Sequence, residues 1–297
     1  MRLFVTDYEA TFRVRAPFRW QRHPGSMLHG LLKAALDHVD DRVTARLLLP
    51  RVPEPAPHYL LKAGSEAPAA LFPVLPHPGE AARDGLAPGD HLHVRLRRLG
   101  RADPDIDQCI IDALTYLDRS LIVEHAGLCG PRERPVEIAD HPTQDTRASL
   151  SFITPGRIEW TDETRNNRVS EDVPFSVLIG IIRRRVETVC ALYGELPGRP
   201  SNRFIAELHA LAPGVTRTRS SLRRESWQRM TTGRDGLHLK HRMAGLLGEI
   251  EFEGPLGPLV PTLLAAQEIH IGKNISMGLG RFVLTLGDHG PPETPPP

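Results

Sequence analysis

The chain has 297 residues, more than one typical domain, and at 40% hydrophobic it can bury two cores of about 140 residues each. A net charge of +1, from 37 Lys and Arg against 36 Asp and Glu, excludes a globally basic polyanion binder, so any nucleic-acid site must come from local clustering. Cys109, Cys129 and Cys190 are far apart and form no C-x-x-C pair, which argues against a disulfide framework or a zinc site and for a reducing cytoplasm. No apolar run approaches the roughly 18 residues of a membrane span, and Met1 to Val5 leads directly into Asp7 and Glu9 without a signal-peptide pattern. A soluble, intracellular protein is expected.

In chain order, Leu3 to Arg15 alternates apolar and polar residues and predicts an opening strand. Pro24, Gly25 and Ser26 supply a break and an N-cap, and Met27, Leu28, Leu31, Leu32, Ala35 and Leu36 recur at helical spacing as far as Val39. Leu48 to Pro88, rich in proline and glycine, reads as extended pieces and loops. His91 to Leu99 is a strand, Ile106 to Val123 a helix, Gly127 to Gly130 a glycine turn, and Pro135 to Ile138 a short strand. The second half repeats the order. A strand over Ser149 to Trp160 precedes a helix over Phe175 to Tyr193 and strands at Leu237 to Met243 and Gly248 to Glu253. A helix over Pro258 to Gln267, a glycine turn over Gly272 to Gly280 and a closing strand over Arg281 to Leu286 complete it.

Two βαββαβ passes predict an α+β fold of two tandem ferredoxin-like domains, residues 1–144 and 145–288, followed by a loose proline-rich tail over 289–297. The seam is expected in the polar stretch Asp140 to Arg147.

Three constellations could carry chemistry. In HIGKNISMGLGRF, from His270 to Phe282, Gly272, Gly278 and Gly280 can open the backbone to a ligand, and Lys273, Asn274 and Ser276 are donors suited to phosphate or sugar. The same spacing also fits a plain turn between a helix and an edge strand. Between Arg217 and Arg242 a basic run includes Arg223, Arg224 and Arg229, with Trp227 placed to stack on a base; a solvated charged loop is the other reading. His29 lies one helical turn before Lys33, so imidazole and ammonium share a face; a partly buried histidine donating to a backbone carbonyl is the alternative. His38 is a second candidate on the same helix. His58, His77, His91 and His93 receive no role. With no H-E-x-x-H and scattered carboxylates, neither a metal site nor a cofactor is expected.

The stretch LLAAQEIHIGKNISMGLGRFVL resembles the carboxy-terminal signature of the RAMP superfamily, in particular its CRISPR repeat-processing endoribonucleases, through Gly272, Lys273, Ser276, Gly278, Gly280 and Phe282. SFITPGRI, IIRRRVETVCALYG and RRESWQRM continued by GLLGEIEFEG agree with it, as does PGSMLHGLLKAAL more loosely; GLCGPRER is a degenerate counterpart of the glycine turn. The resemblance implies an endoribonuclease that needs no metal, with CRISPR repeat RNA or crRNA as partner and other Cas effector-complex subunits as further partners. It implies catalysis by His29 or His38 with Lys33, and RNA contacts from the glycine loop through Arg281 and from Arg223, Arg224, Trp227 and Arg229. Products would carry a 2′,3′-cyclic phosphate and a 5′-hydroxyl. The competing reading is a non-catalytic RAMP subunit that holds crRNA; monomer and homodimer are both left open.

Overall fold

The structure, a computed structural model, describes residues 2–17, 23–48, 69–75, 85–120, 123–138, 146–161, 167–168, 170–194, 210–232 and 238–287. The first half contributes β1 (Arg2–Val14), α1 (Gly25–Val39), α2 (Asp41–Leu48), β2 (Leu71–Pro73), β3 (His91–Leu99), α3 (Pro104–Ser120) and β4 (Val123–Glu137). The antiparallel sheet has the order β2-β3-β1-β4, which is the ferredoxin-like order. Alternation in β1 separates two buried faces. Tyr8, Ala10, Phe12 and Val14 pack with Leu28, Leu32 and Leu36 of α1, whereas Leu3 and Val5 turn the other way.

The second half repeats this plan with β5 (Arg147–Gly156), the short pair β6 (Trp160–Thr161) and β7 (Asn167–Arg168), α4 (Phe175–Tyr193), β8 (Thr216–Ser220), β9 (Arg223–Thr232), β10 (His238–Glu253), α5 (Val260–Ile269) and β11 (Phe282–Leu286). Its sheet runs β11-β5-β10-β8, with β9 also on β10, so β8 and β9 form one interrupted edge strand and the same order returns. The two ferredoxin-like units share a core. Leu3, Val5, Leu99 and Val136 from the first sheet lie in one cluster with Ile182, Val186 and Val189 of α4 and Ile269 of α5. Each such side chain contributes about 1.5–3 kcal/mol when fully buried, so the docking of the halves is apolar and strong.

Three sequence expectations change. The glycine turn at Gly127 to Gly130 is the interior of β4, whose fifteen residues follow β1 through two register shifts, and the short strand expected at Pro135 is its continuation. Ser26 is not the N-cap: α1 starts at Gly25 after Pro24, with no side-chain cap. The strands expected at Leu237 to Met243 and Gly248 to Glu253 are one, because Gly248, at φ +109°, bends β10 without ending it. The proline-rich stretch after Leu48 holds β2, an extended piece of the kind expected there. Most of the seam and the whole carboxy-terminal tail lie outside the described residues.

Candidate active site

β9 and β10 pair as a hairpin whose register places Trp227 opposite Met243 and Arg229 opposite His241. Strand alternation puts Glu225, Trp227 and Arg229 on one face and Arg224, Ser226 and Gln228 on the other. The first face meets the start of α1 and the glycine loop: Trp227 packs on Met243, Met277 and Leu279, and a Cβ on Gly25 would collide with the Met277 carbonyl. The first half supplies α1 and the second half the loop and hairpin, so the site is built across the domain boundary.

His29 is at the centre of this junction. It is hydrogen-bonded to the Ser276 backbone, its Nδ1 is buried without a protein partner, and Arg229 and Lys33 are its nearby cations. Burial first, then the Arg229 charge, push its pKa below the ordinary histidine value, with Lys33 adding to this and the Ser276 bond opposing it. Neutral imidazole, the form that accepts a proton, is therefore favoured near pH 7. Arg229 is half-buried, its Nε has no hydrogen-bond partner, and burial lowers its pKa too. A buried donor left unmatched costs about 1–3 kcal/mol, a cost an anionic ligand would recover.

The other expected residues are dispersed. Lys33 shares the face of His29 and is ion-paired with Asp37. His38 lies about 13 Å further along α1, stacked at 4.0 Å on Tyr116 of α3, away from the glycine loop. Trp227 is not free on both faces, since the His23 ring lies 4.6 Å from it; the rest of its indole lines an exposed groove with Ser226, Gln228, Lys240 and Arg242. Arg223 and Arg224 are exposed on β9.

The glycine loop differs from the expected ligand cradle. Gly272, Gly278 and Gly280 all have positive φ, and a Cβ on each would strike a protein carbonyl, those of Arg157, Pro73 and Ile271 respectively. Their close approaches are to the protein itself. Thr154 Oγ1 donates to the Gly278 carbonyl at 2.9 Å and accepts from the Arg281 amide at 2.9 Å, fixing the loop to β5. Lys273 pairs with Glu159 at 2.6 Å, Asn274 accepts from Arg157 at 3.1 Å, and Arg281 donates to the Leu75 carbonyl. Ser276 is the loop residue brought to His29.

Sequence reasoning missed His23 and Glu225. Both are buried, with His23 Nε2 2.9 Å from Glu225 Oε1. A histidine in front of a helix and a lone glutamate in an arginine-rich run give no hint that they meet.

Residues 150–282 match the family model described as CRISPR-associated endoribonuclease Cas6. That stretch is somewhat under half of the chain, and over it the chain is similar to the Cas6 family. Thermus thermophilus Cas6 superposes with a TM-score of 0.56 at 15% identity, over 95% of this chain and 99% of that one. A Cas6 product complex gives 0.58 at 15%, over 95% and 100%. A partial Cas6-RT-Cas1–Cas2 complex gives 0.60 at 12%, over 96% of this chain but 46% of the other. At these identities the likeness is one of fold. No curated protein matches the chain by sequence. Among the described residues no helix is long and apolar enough to cross a membrane.

Proposed function

We propose that this chain is a Cas6-type endoribonuclease that cleaves CRISPR repeat RNA at the junction of α1, β9 and the glycine loop, by attack of a 2′-hydroxyl on the adjacent phosphate and without a metal. The observation that supports this reading is the convergence of His29 and Arg229 from opposite halves, each with a buried polar atom unmatched by the protein. His29 accepts the 2′-hydroxyl proton, the P–O5′ bond breaks as the P–O2′ bond forms, and the departing 5′-oxygen takes its proton from solvent water. Arg229 faces the charge that develops on the phosphorane, and Lys33 adds a second cation on the His29 side. The products are a 2′,3′-cyclic phosphate and a 5′-hydroxyl end, and crRNA is then handed to other Cas proteins. Incubating the chain with labelled repeat RNA in excess chelator is expected to give specific cuts at the untreated rate, with 3′ ends that accept no 5′-phosphorylated adapter until the cyclic phosphate is opened and removed to leave a free hydroxyl. Intact RNA under all conditions would favour the reading as a non-catalytic RAMP subunit.

The exposed arginines are assigned to binding. Replacing Arg223 and Arg224 by alanine should weaken RNA affinity and flatten the dependence of log K on log salt by about 0.7–0.9 for each phosphate no longer neutralised. An unchanged slope would return both residues to a solvated edge strand.

A further inference from the structure

Three contacts line up where the start of α1 meets β9 and the glycine loop. His23 meets Glu225 at 2.9 Å and the Trp227 ring at 4.6 Å, Gly25 lies against the Met277 carbonyl, and His29 meets Ser276 and the Arg229 charge. His23 lies two residues before α1, and from Gly25 to His29 the helix rises about 6 Å. From Glu225 to Arg229 the chain rises about 13 Å as a strand. The His23–Glu225 contact is thus a second fixed point along the seam that brings His29 to Arg229. Both its side chains are almost fully buried, at 8% and 6% exposure, which gives the pair a defined geometry rather than a surface one. The carboxylate can only accept, so the His23 ring N–H donates to it.

We propose that His23 is a positioning residue: through Glu225 and Trp227 it holds β9 against the start of α1, so that His29 and Arg229 face one phosphate. This rests on the reading of His29 and Arg229 given above. Neither His23 nor Glu225 touches the RNA. The packing of Trp227 on Met243, Met277 and Leu279 ties the same strand to the glycine loop, so a shift at His23 moves the hairpin and the loop relative to α1 together.

The test uses His23→Ala and the milder Glu225→Gln in the full chain, each first checked for folding by thermal melting. Single-turnover cleavage is expected to fall by about 10- to 100-fold, the effect of a misplacement near 1 Å, with repeat-RNA Kd within about threefold of the wild type. In the free protein, the His29 ring titration followed by NMR is expected to move up toward the ordinary histidine value, because the ring loses burial and the neighbouring Arg229 charge. The groups facing that ring are Arg229 on β9, Lys33 on α1 and the Ser276 backbone, so the change reports the seam. Normal cleavage with an unmoved titration in the folded variants overturns the proposal. So does a fall in rate and affinity together with the titration unmoved. If His23→Ala does not fold, Glu225→Gln decides by the same readings. Wild-type protein that cuts no RNA would overturn the assigned chemistry, while the His29 titration would still decide the positioning role.

Discussion

His29→Ala is expected to slow single-turnover cleavage of repeat RNA by about 10² to 10⁴ while leaving RNA affinity nearly intact, because proton transfer stabilises only the transition state. The pH dependence carries a second signature. Burial and Arg229 lower the His29 pKa, so in the unliganded protein the basic form predominates above a midpoint below about 6.5. The rate, if it tracks free-enzyme His29, rises with pH through that midpoint and levels off near neutrality; a bound phosphate moves the midpoint up by favouring the imidazolium. His38→Ala, altering a ring stacked on Tyr116 at the far end of α1, is expected to cut normally. A normal rate for His29→Ala with loss of activity in His38→Ala would transfer the base role to His38. A rate that falls in parallel with RNA affinity would make His29 a binding residue.

The parts of the fold that are legible in the sequence are those whose partners are close in sequence or whose period is long. The helix over Phe175 to Tyr193 is legible to its observed bounds, because Leu178, Ile182, Val186 and Val189 repeat one buried face. β8 and β9 are not. RTRS and RRESWQR carry so much charge that they read as a solvated loop, yet Glu225, Trp227 and Arg229 alternate inward against Met243 and α1. Gly127 and Gly130 mislead in the opposite sense: glycine marks a turn on average, but Gly130, at φ +128°, lets β4 pass close to the backbone of Asp7 and Tyr8 within the sheet. In the site, His29 is legible from its helix and the family resemblance. Its neighbour Arg229 lies two hundred positions away, and nothing in one sequence links two such positions across a domain boundary. The glycine loop is legible in composition but not in orientation, because spacing does not reveal what a missing Cβ makes room for.

That orientation sets the other large effect, expected at Gly280. Its φ of +74° is one that other residues adopt at a cost of about 1–2 kcal/mol. An added methyl would also overlap the Ile271 carbonyl, which accepts no such approach without displacing backbone. The Gly280 amide donates to the Pro155 carbonyl at 3.1 Å and its carbonyl accepts from the Ile271 amide at 3.0 Å, so backbone movement here breaks the link between loop and β5. Gly280→Ala should therefore destabilise the chain by about 3 kcal/mol or more, seen as a lower Tm or as loss of soluble protein. Gly30→Ala is the matched control: it is an exposed glycine inside α1 with nothing near its missing Cβ, and the change should stabilise by about 0.5–1 kcal/mol. A Gly280→Ala variant that melts like the wild type and loses only RNA affinity would restore the ligand cradle. A lowered Tm that RNA does not selectively rescue would confirm that the glycines of this loop serve the fold, which in turn holds Ser276 against His29.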